Sequence, residues 1–338
     1  MPDGPLIAGI ASLLGLPAGR APEIGLEPLA PGGNNRVFAA TIGACRYLVK
    51  QYFRDPSDPR DRLHAEQAFL RYAAAAGIGC VPRAIAADAR LGIGIYEFVS
   101  GRKMTAADIS AARVDEAAAF FLRLNDAAHR SAARALPVAS EACFSIAEHF
   151  AMVDRRTARL AAIPVAADVD RAARDFVGEL VAVWEELKQR IAREAAIRGE
   201  ALDAAVAQRC ISPSDFGFQN ALVRDTGELC FLDFEYAGWD DPAKMAGDFF
   251  SHPALPVPRE HFDRFVRAAM SFSPRAPALE ERARLLLPVF RAKWCCIMLN
   301  DFVPEFARRR RFADPDTDEE ARKRRQLDKA RRLLESIE

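Results

Sequence analysis

Residues 211–250 read ISPSDFGFQN ALVRDTGELC FLDFEYAGWD DPAKMAGDFF. The stretch carries Asp215, then Asn220 in the same short loop, then Asp233 at the end of an apolar run. Two carboxylates and an amide at a tight loop and a strand end suit a divalent metal and a reacting hydroxyl, because hard cations take oxygen donors. Ala221-Leu222-Val223 and Leu229 to Leu232 are apolar, and Asp225-Thr226-Gly227 between them is a turn signal. The pattern predicts a hairpin with Asn220 entering its first strand and Asp233 leaving its second. That arrangement brings both to one end, within reach of one ion.

The rest of the chain bounds what such a site serves. Its 338 residues can bury one large core or two moderate ones, and half of them are hydrophobic. With 47 basic and 47 acidic residues the formal net charge is zero, which argues against nucleic acid or an anionic membrane as partner. Seven scattered cysteines without a C-x-x-C pair fit buried free thiols and a reducing cytoplasm. The apolar run Leu6–Leu16 has no basic flank or cleavage-like site, so no signal peptide is expected, and no run is long enough to span a bilayer. No cluster of His and Cys has zinc spacing, and the five dispersed histidines are assigned no chemistry.

From Ile24 short apolar runs alternate with turn residues, the texture of a small antiparallel sheet. Gly32-Gly33-Asn34-Asn35 sits between two of its strands, an ordinary hairpin turn or a loop whose backbone N–H groups approach an anion. Tyr47 to Lys50 is a strand ending in lysine. Helix signals begin near Asp61 and place Glu66 on a largely apolar face, where an acid needs a cationic partner such as Lys50. Ile93 to Val99 is a further strand. A boundary falls at Gly101, after which the pattern is helical: 106–132, 144–162 and 169–197, then, beyond the opening stretch, 243–251, 259–272, 279–302 and 318–337.

In order and spacing these features resemble the aminoglycoside phosphotransferase and choline kinase-like family, the small-molecule branch of the kinase-like fold. SPSDFGFQNALV and LCFLDFEYAGWDDPAKMAGDF are close to that family's signature, and the likeness runs from about Ile24 to about Phe306. It implies an α+β, bilobal fold: an N-terminal helix and loop (1–23), a small antiparallel-sheet lobe with one helix that binds nucleotide (24–101), and a larger, mainly helical lobe (102–338). Within the last, 211–220 would be the catalytic loop and 229–241 the metal-binding segment. The resemblance further implies a phosphotransferase that moves the γ-phosphate of ATP to a small-molecule hydroxyl, with Asp215 handling the hydroxyl proton. Asn220 and Asp233 would bind Mg2+. Lys50, paired with Glu66, would meet the α/β-phosphates, Gly32, Gly33, Asn34 and Asn35 would cover the phosphates, and Glu97, Phe98 and Val99 would face adenine. The different-class alternative is a catalytically silent nucleotide-binding regulator.

Two departures stand out. Pro213-Ser214 replaces the His-Gly that usually precedes the catalytic aspartate, and Phe234-Glu235 follows the metal aspartate where protein kinases have Phe-Gly. Asp248 resembles the acid that ties the next helix to the catalytic loop. For the acceptor, Trp294 offers a stacking face or helical core, Asn300 and Asp301 offer polar contacts, and Glu235, Asp240 and Asp241 suit a cation or tune the metal. Sugars, amino alcohols and aminoglycosides all stay open as acceptors, as does the oligomeric state.

Overall fold

The structure is a computed structural model and describes residues 4–17, 23–29, 35–55, 58–313 and 318–337. Helix α1 (Gly4–Leu13) buries Leu6 and Ile10. Strands β1 (Gly25–Pro28), β2 (Arg36–Ile42) and β3 (Cys45–Gln51) run antiparallel. The β2–β3 register pairs Ile42 with Cys45, leaving Gly43 and Ala44 to turn, and Gly43 takes the φ of 59° that so short a turn demands. Helix α2 (Arg62–Ala75) opens on Asp61, whose side chain accepts the His64 N–H at 2.9 Å. Strands β4 (Ala84–Asp88) and β5 (Ile93–Glu97) complete a five-stranded sheet in the order β1-β2-β3-β5-β4.

Strand alternation then decides the layers. Phe38, Ala40, Val49, Ile93 and Ile95 pack with Leu6 and Ile10 in a small core on one face. Lys50 follows Val49 and so turns to the other face, where Tyr96 joins the larger core with Phe69 and Leu70 of α2.

Strand β6 (Arg102–Lys103) leads to α3 (Ala111–Leu124), α4 (Ile146–Ala161) and α5 (Asp168–Ile197). The expected helix 106–132 is thus shorter. Asn125 stops it: its amide donates to Phe121 O at 3.0 Å and Ile211 O at 2.9 Å, and its oxygen accepts from Ile211 N at 2.7 Å. One side chain both ends α3 and ties it to the strand before Asp215.

Strands β7 (Cys210–Ser212), β8 (Ala221–Val223), β9 (Leu229–Phe231) and β10 (Gly238–Asp240) follow. β8 and β9 form the expected hairpin, β6 extends it, and β7 pairs with β10. The chain ends with α6 (Pro242–Ser251), α7 (Phe262–Met270), α8 (Ala276–Met298), α9 (Pro304–Ala313) and α10 (Glu319–Glu335). Gly247 lets α6 lie directly on α8, since a Cβ there would stand 2.0 Å from the Phe290 ring. Helix α9 was not among the expected helices, although Pro304 at its first position is a start signal. No helix among the described residues is long and apolar enough to cross a membrane. Five of the seven free cysteines are buried as expected, but Cys45 is exposed and Cys80 half-buried. Burial pushes the Cys296 thiol up to about 12, so it is a poor nucleophile.

Candidate active site

Phenylalanines fix the opening stretch and leave its polar residues facing outward. Phe216 and Phe218 meet Phe249 of α6 at 5.0 and 5.1 Å, Phe231 stacks on Phe120 at 4.6 Å, and Phe234 stacks on Phe69 of α2 at 4.4 Å. Each fully buried phenylalanine stabilises by on the order of 2–3 kcal/mol. The hairpin closes at its mouth, with Leu232 N–H donating to Asn220 O at 2.8 Å. Asp215, Asn220 and Asp233 therefore line one cavity of about 460 Å³. A larger neighbouring cavity of about 710 Å³, beside the start of α2, has none of the three on its wall. All three expected residues therefore stand on the smaller one.

Lys50 joins the sheet to this cavity. Its Nζ donates to both Glu66 oxygens at 2.8 and 2.9 Å and to Asp233 Oδ1 at 2.7 Å. Glu66 is buried and also receives the Tyr52 hydroxyl, which in turn contacts the Tyr96 hydroxyl at 2.6 Å. Burial works against the lysine charge, but Asp233 and Glu66 outweigh it and hold the group protonated well above the ordinary lysine range. The pairing expected from sequence is present, and Asp233 is added to it.

Asn220 Nδ2 donates to Asp215 O at 3.0 Å and to Asp215 Oδ2 at 3.3 Å. Burial pushes the Asp215 carboxyl up to about 7, reinforced by the charges of Asp233, Asp248 and Glu235, although 29% of the side chain still meets solvent. A group poised there is a base near neutrality. His252 stands 3.6 Å from Asp215 Oδ1, beyond hydrogen-bond reach, with its ring edge-on to Trp294 at 4.3 Å. Burial lowers the His252 pKa to about 3, so the ring is neutral. Sequence reasoning passed over this histidine, which no local motif marks.

The loop that lacks His-Gly is braced differently. Ser214 adopts a φ of 65°, the left-handed region a glycine occupies freely. Its N–H donates to Ser212 Oγ at 2.9 Å, and its Oγ accepts from Lys244 Nζ at 3.0 Å. Lys244 is buried and pairs with Asp240 at 2.7 Å. Among the described residues, Glu141, Ser214 and Asp233 are the non-glycine positions with positive φ, and all three line this cavity. Such clustering of strained backbone is a mark of functional sites.

The remaining expected residues divide. Trp294, Asn300 and Asp301 line the cavity with Asp215. Trp294 is nearly buried and donates to Asp248 Oδ1 at 2.9 Å, Asn300 accepts from Arg159 at 3.3 Å, and Asp301 meets Arg322 at 3.1 Å. Glu235 lines the larger cavity, buried and accepting from Asn35 at 2.5 Å. Asp240 and Asp241 are sealed, the latter by His149 and Arg282, and present no charge to the cavity. Asp248 reaches Ser214, beside Asp215, through Lys244, and bonds across to Lys293 and Trp294 of α8. Glu97, Phe98 and Val99 are half-buried where β5 leaves the sheet; Glu97 pairs with Arg83 at 3.2 Å, and Arg46 lies 4.0 Å over the Phe98 ring. Gly32, Gly33 and Asn34 lie outside the described residues.

The donor set can be tested against a metal. Among the described residues no group of three or more His, Cys, Asp and Glu gathers as a cage. Asn220 and Asp233 instead offer hard oxygens on one wall, and Asp233 is 39% exposed. That is a fit for Mg2+, which takes one or two carboxylates and completes its shell with phosphates.

Known proteins resemble this chain in sequence and in fold. The sequence model described as "Phosphotransferase enzyme family" matches residues 25–277. No curated protein sequence matches the chain. Among solved structures, a choline/ethanolamine kinase family protein from Mesorhizobium loti is 18% identical, with 99% of this chain and 96% of that one covered at a TM-score of 0.60. Choline kinase LicA from Streptococcus pneumoniae is 16% identical, with 99% of each chain covered at 0.59. A spectinomycin phosphotransferase in complex with ADP and spectinomycin is 8% identical, with 93% and 92% covered at 0.57. At these identities the likeness shows the fold, which is kinase-like.

Proposed function

We propose that this chain, which belongs to the phosphotransferase enzyme family, transfers the γ-phosphate of ATP to a hydroxyl of a small molecule. The carrying observation is the meeting of three distant segments. Lys50 lies 2.8 Å from Glu66 and 2.7 Å from Asp233, and Asp233 shares its cavity with Asp215 and Asn220.

Lys50, oriented by Glu66, would bind the α/β-phosphates. Asn220 and Asp233 would hold Mg2+, which when bound neutralises charge on the β- and γ-phosphates. Asp215 would align the acceptor hydroxyl and receive its proton as the oxygen forms the new bond to phosphorus and ADP departs. Asn220 would keep the Asp215 carboxylate in place. Phosphoryl transfer asks little covalent help of a protein, and position and charge compensation are what these residues supply. The segment 97–99 would meet adenine; Gly32, Gly33 and Asn34, expected over the phosphates, lie outside the described residues.

The test is thermal stabilisation by ATP with Mg2+, for the native chain and for Asp233→Ala, followed by acceptor-dependent ADP release. Stabilisation of the native chain alone is expected. No stabilisation of either protein would sink the nucleotide site. Binding without turnover across sugars, amino alcohols and aminoglycosides would favour the silent regulator.

A further inference from the structure

We infer that the acceptor is anionic, its carboxylate or phosphate group held by Arg156 of α4 and Lys329 of α10 in the cavity of Asp215. The inference rests on the phosphotransferase reading and names the acceptor class of that same site.

Arg156 carries the case. Its side chain is only 9% exposed, it lines the cavity, and its Nη2 donates to Glu141. Its Nη1 is buried with no hydrogen-bond partner. An unsatisfied buried donor is costly, and a charged one more so, unless a ligand supplies the acceptor. A carboxylate or phosphate oxygen does this, and a guanidinium fork suits either.

The charge balance of the wall agrees. Lys244 and Lys293 are matched by Asp240 and Asp248. Asp233 is matched by Lys50, Arg60 by Asp58, and Asp301 is shared between Arg310 and Arg322. That leaves Arg156, with Glu141 on one arm of its fork, and Lys329, which forms no ion pair among the described residues, on the same wall as Asp215. Lys329 and His252 line the same cavity as Asp215.

The aromatic rings speak against a cationic acceptor. A bound ammonium seeks the face of a Trp, Tyr or Phe. Here the Trp294 ring has Lys293 Nζ at 5.7 Å, Phe306 has Arg159 at 4.8 Å, and Tyr236 has Arg60 at 5.7 Å. Each of these rings already carries one of the protein's own cations, which repels a second.

Calorimetry on the protein saturated with Mg-AMP-PNP tests this with a matched set: D-glycerate, glycerol 3-phosphate, glycerol and choline. At least one anion is expected to bind about tenfold or more tightly than both glycerol and choline, with a preference that weakens as salt rises. The two anions separate carboxylate from phosphate. In Arg156→Gln the preference should fall to near parity. Lys329→Gln, at a half-buried helix position, should lower it and keeps the test alive if the first variant does not fold. Equal binding of all four, no anion binding, tighter choline binding, or a preference that survives both substitutions overturns the inference. The titration of Mg-AMP-PNP precedes the acceptors, so failure of the nucleotide reading appears there, separately, and the acceptors are also titrated without nucleotide.

Discussion

Two buried ion clusters flank Asp215, and they are built on opposite plans. Lys50, Glu66 and Asp233 come from β3, α2 and the exit of the hairpin; one cation serves two acids, and Asp233 stays 39% exposed. Lys244, Lys293, Asp240 and Asp248 come from β10, α6 and α8; two cations meet two acids, and no side chain is more than 3% exposed. The second cluster is balanced and nearly closed to solvent. It braces Ser214 and needs no further charge. The first is unbalanced and half open, so a ligand's charges can complete it. Buried charge alone does not mark a reactive site; imbalance and access do.

The widest gap between the clusters should appear in catalysis. Asp215→Asn is expected to lower kcat by about 10²–10⁴-fold while Mg-ATP still raises Tm. An unchanged kcat would remove Asp215 from the chemistry. Next, Lys50→Met and Lys244→Met each strand a buried acid and should each cost about 3–5 kcal/mol in urea unfolding. Only Lys50→Met should also abolish stabilisation by Mg-ATP. If Lys244→Met does so equally, the distinction between the clusters fails.

A third prediction concerns acid stability behind the balanced cluster. Burial raises the Asp241 carboxyl, but the His149 hydrogen bond and the Arg282 charge outweigh it and hold the pKa at about 2. The folded value is depressed, so its contribution is present above the unfolded carboxylate range and is lost as pH falls from about 4 through about 2. Unfolding measured across that window should show about 2 kcal/mol of pH dependence that Asp241→Asn removes. The smallest effect is local. Ser214→Gly relieves the φ of 65° and Ser214→Ala does not, while both lose the Lys244 hydrogen bond. The glycine variant should be the more stable by about 1 kcal/mol.

Much of the candidate site was legible because its spacing is local. The turn at Asp225-Thr226-Gly227 and the apolar runs beside it specify a hairpin, and a hairpin brings Asn220 and Asp233 together whatever else the chain does. Glu66 was found because an acid on an apolar helix face needs a cation, and Lys50 is the cation its sheet presents. The Asp240, Lys244, Asp248 ladder, at four-residue spacing, was a signal that went unread. The early end of α3 was not readable, since Asn125 stops it by bonding Ile211 on a distant strand.

Sequence alone picked out Lys50, Glu66, Asn220 and Asp233, the residues proposed to meet a metal and phosphates. Those residues sit at strand ends and on one helix face, where backbone periodicity dictates direction. The proposed acceptor side emerges only in three dimensions. Glu235, Asp240 and Asp241 looked like bait for a cation, yet packing turned each toward a partner of its own. Arg156 and Lys329, from α4 and α10, came to the cavity unannounced. The physical reason is that a side chain's charge matters through what surrounds it, and those surroundings are assembled by helices far apart in the chain.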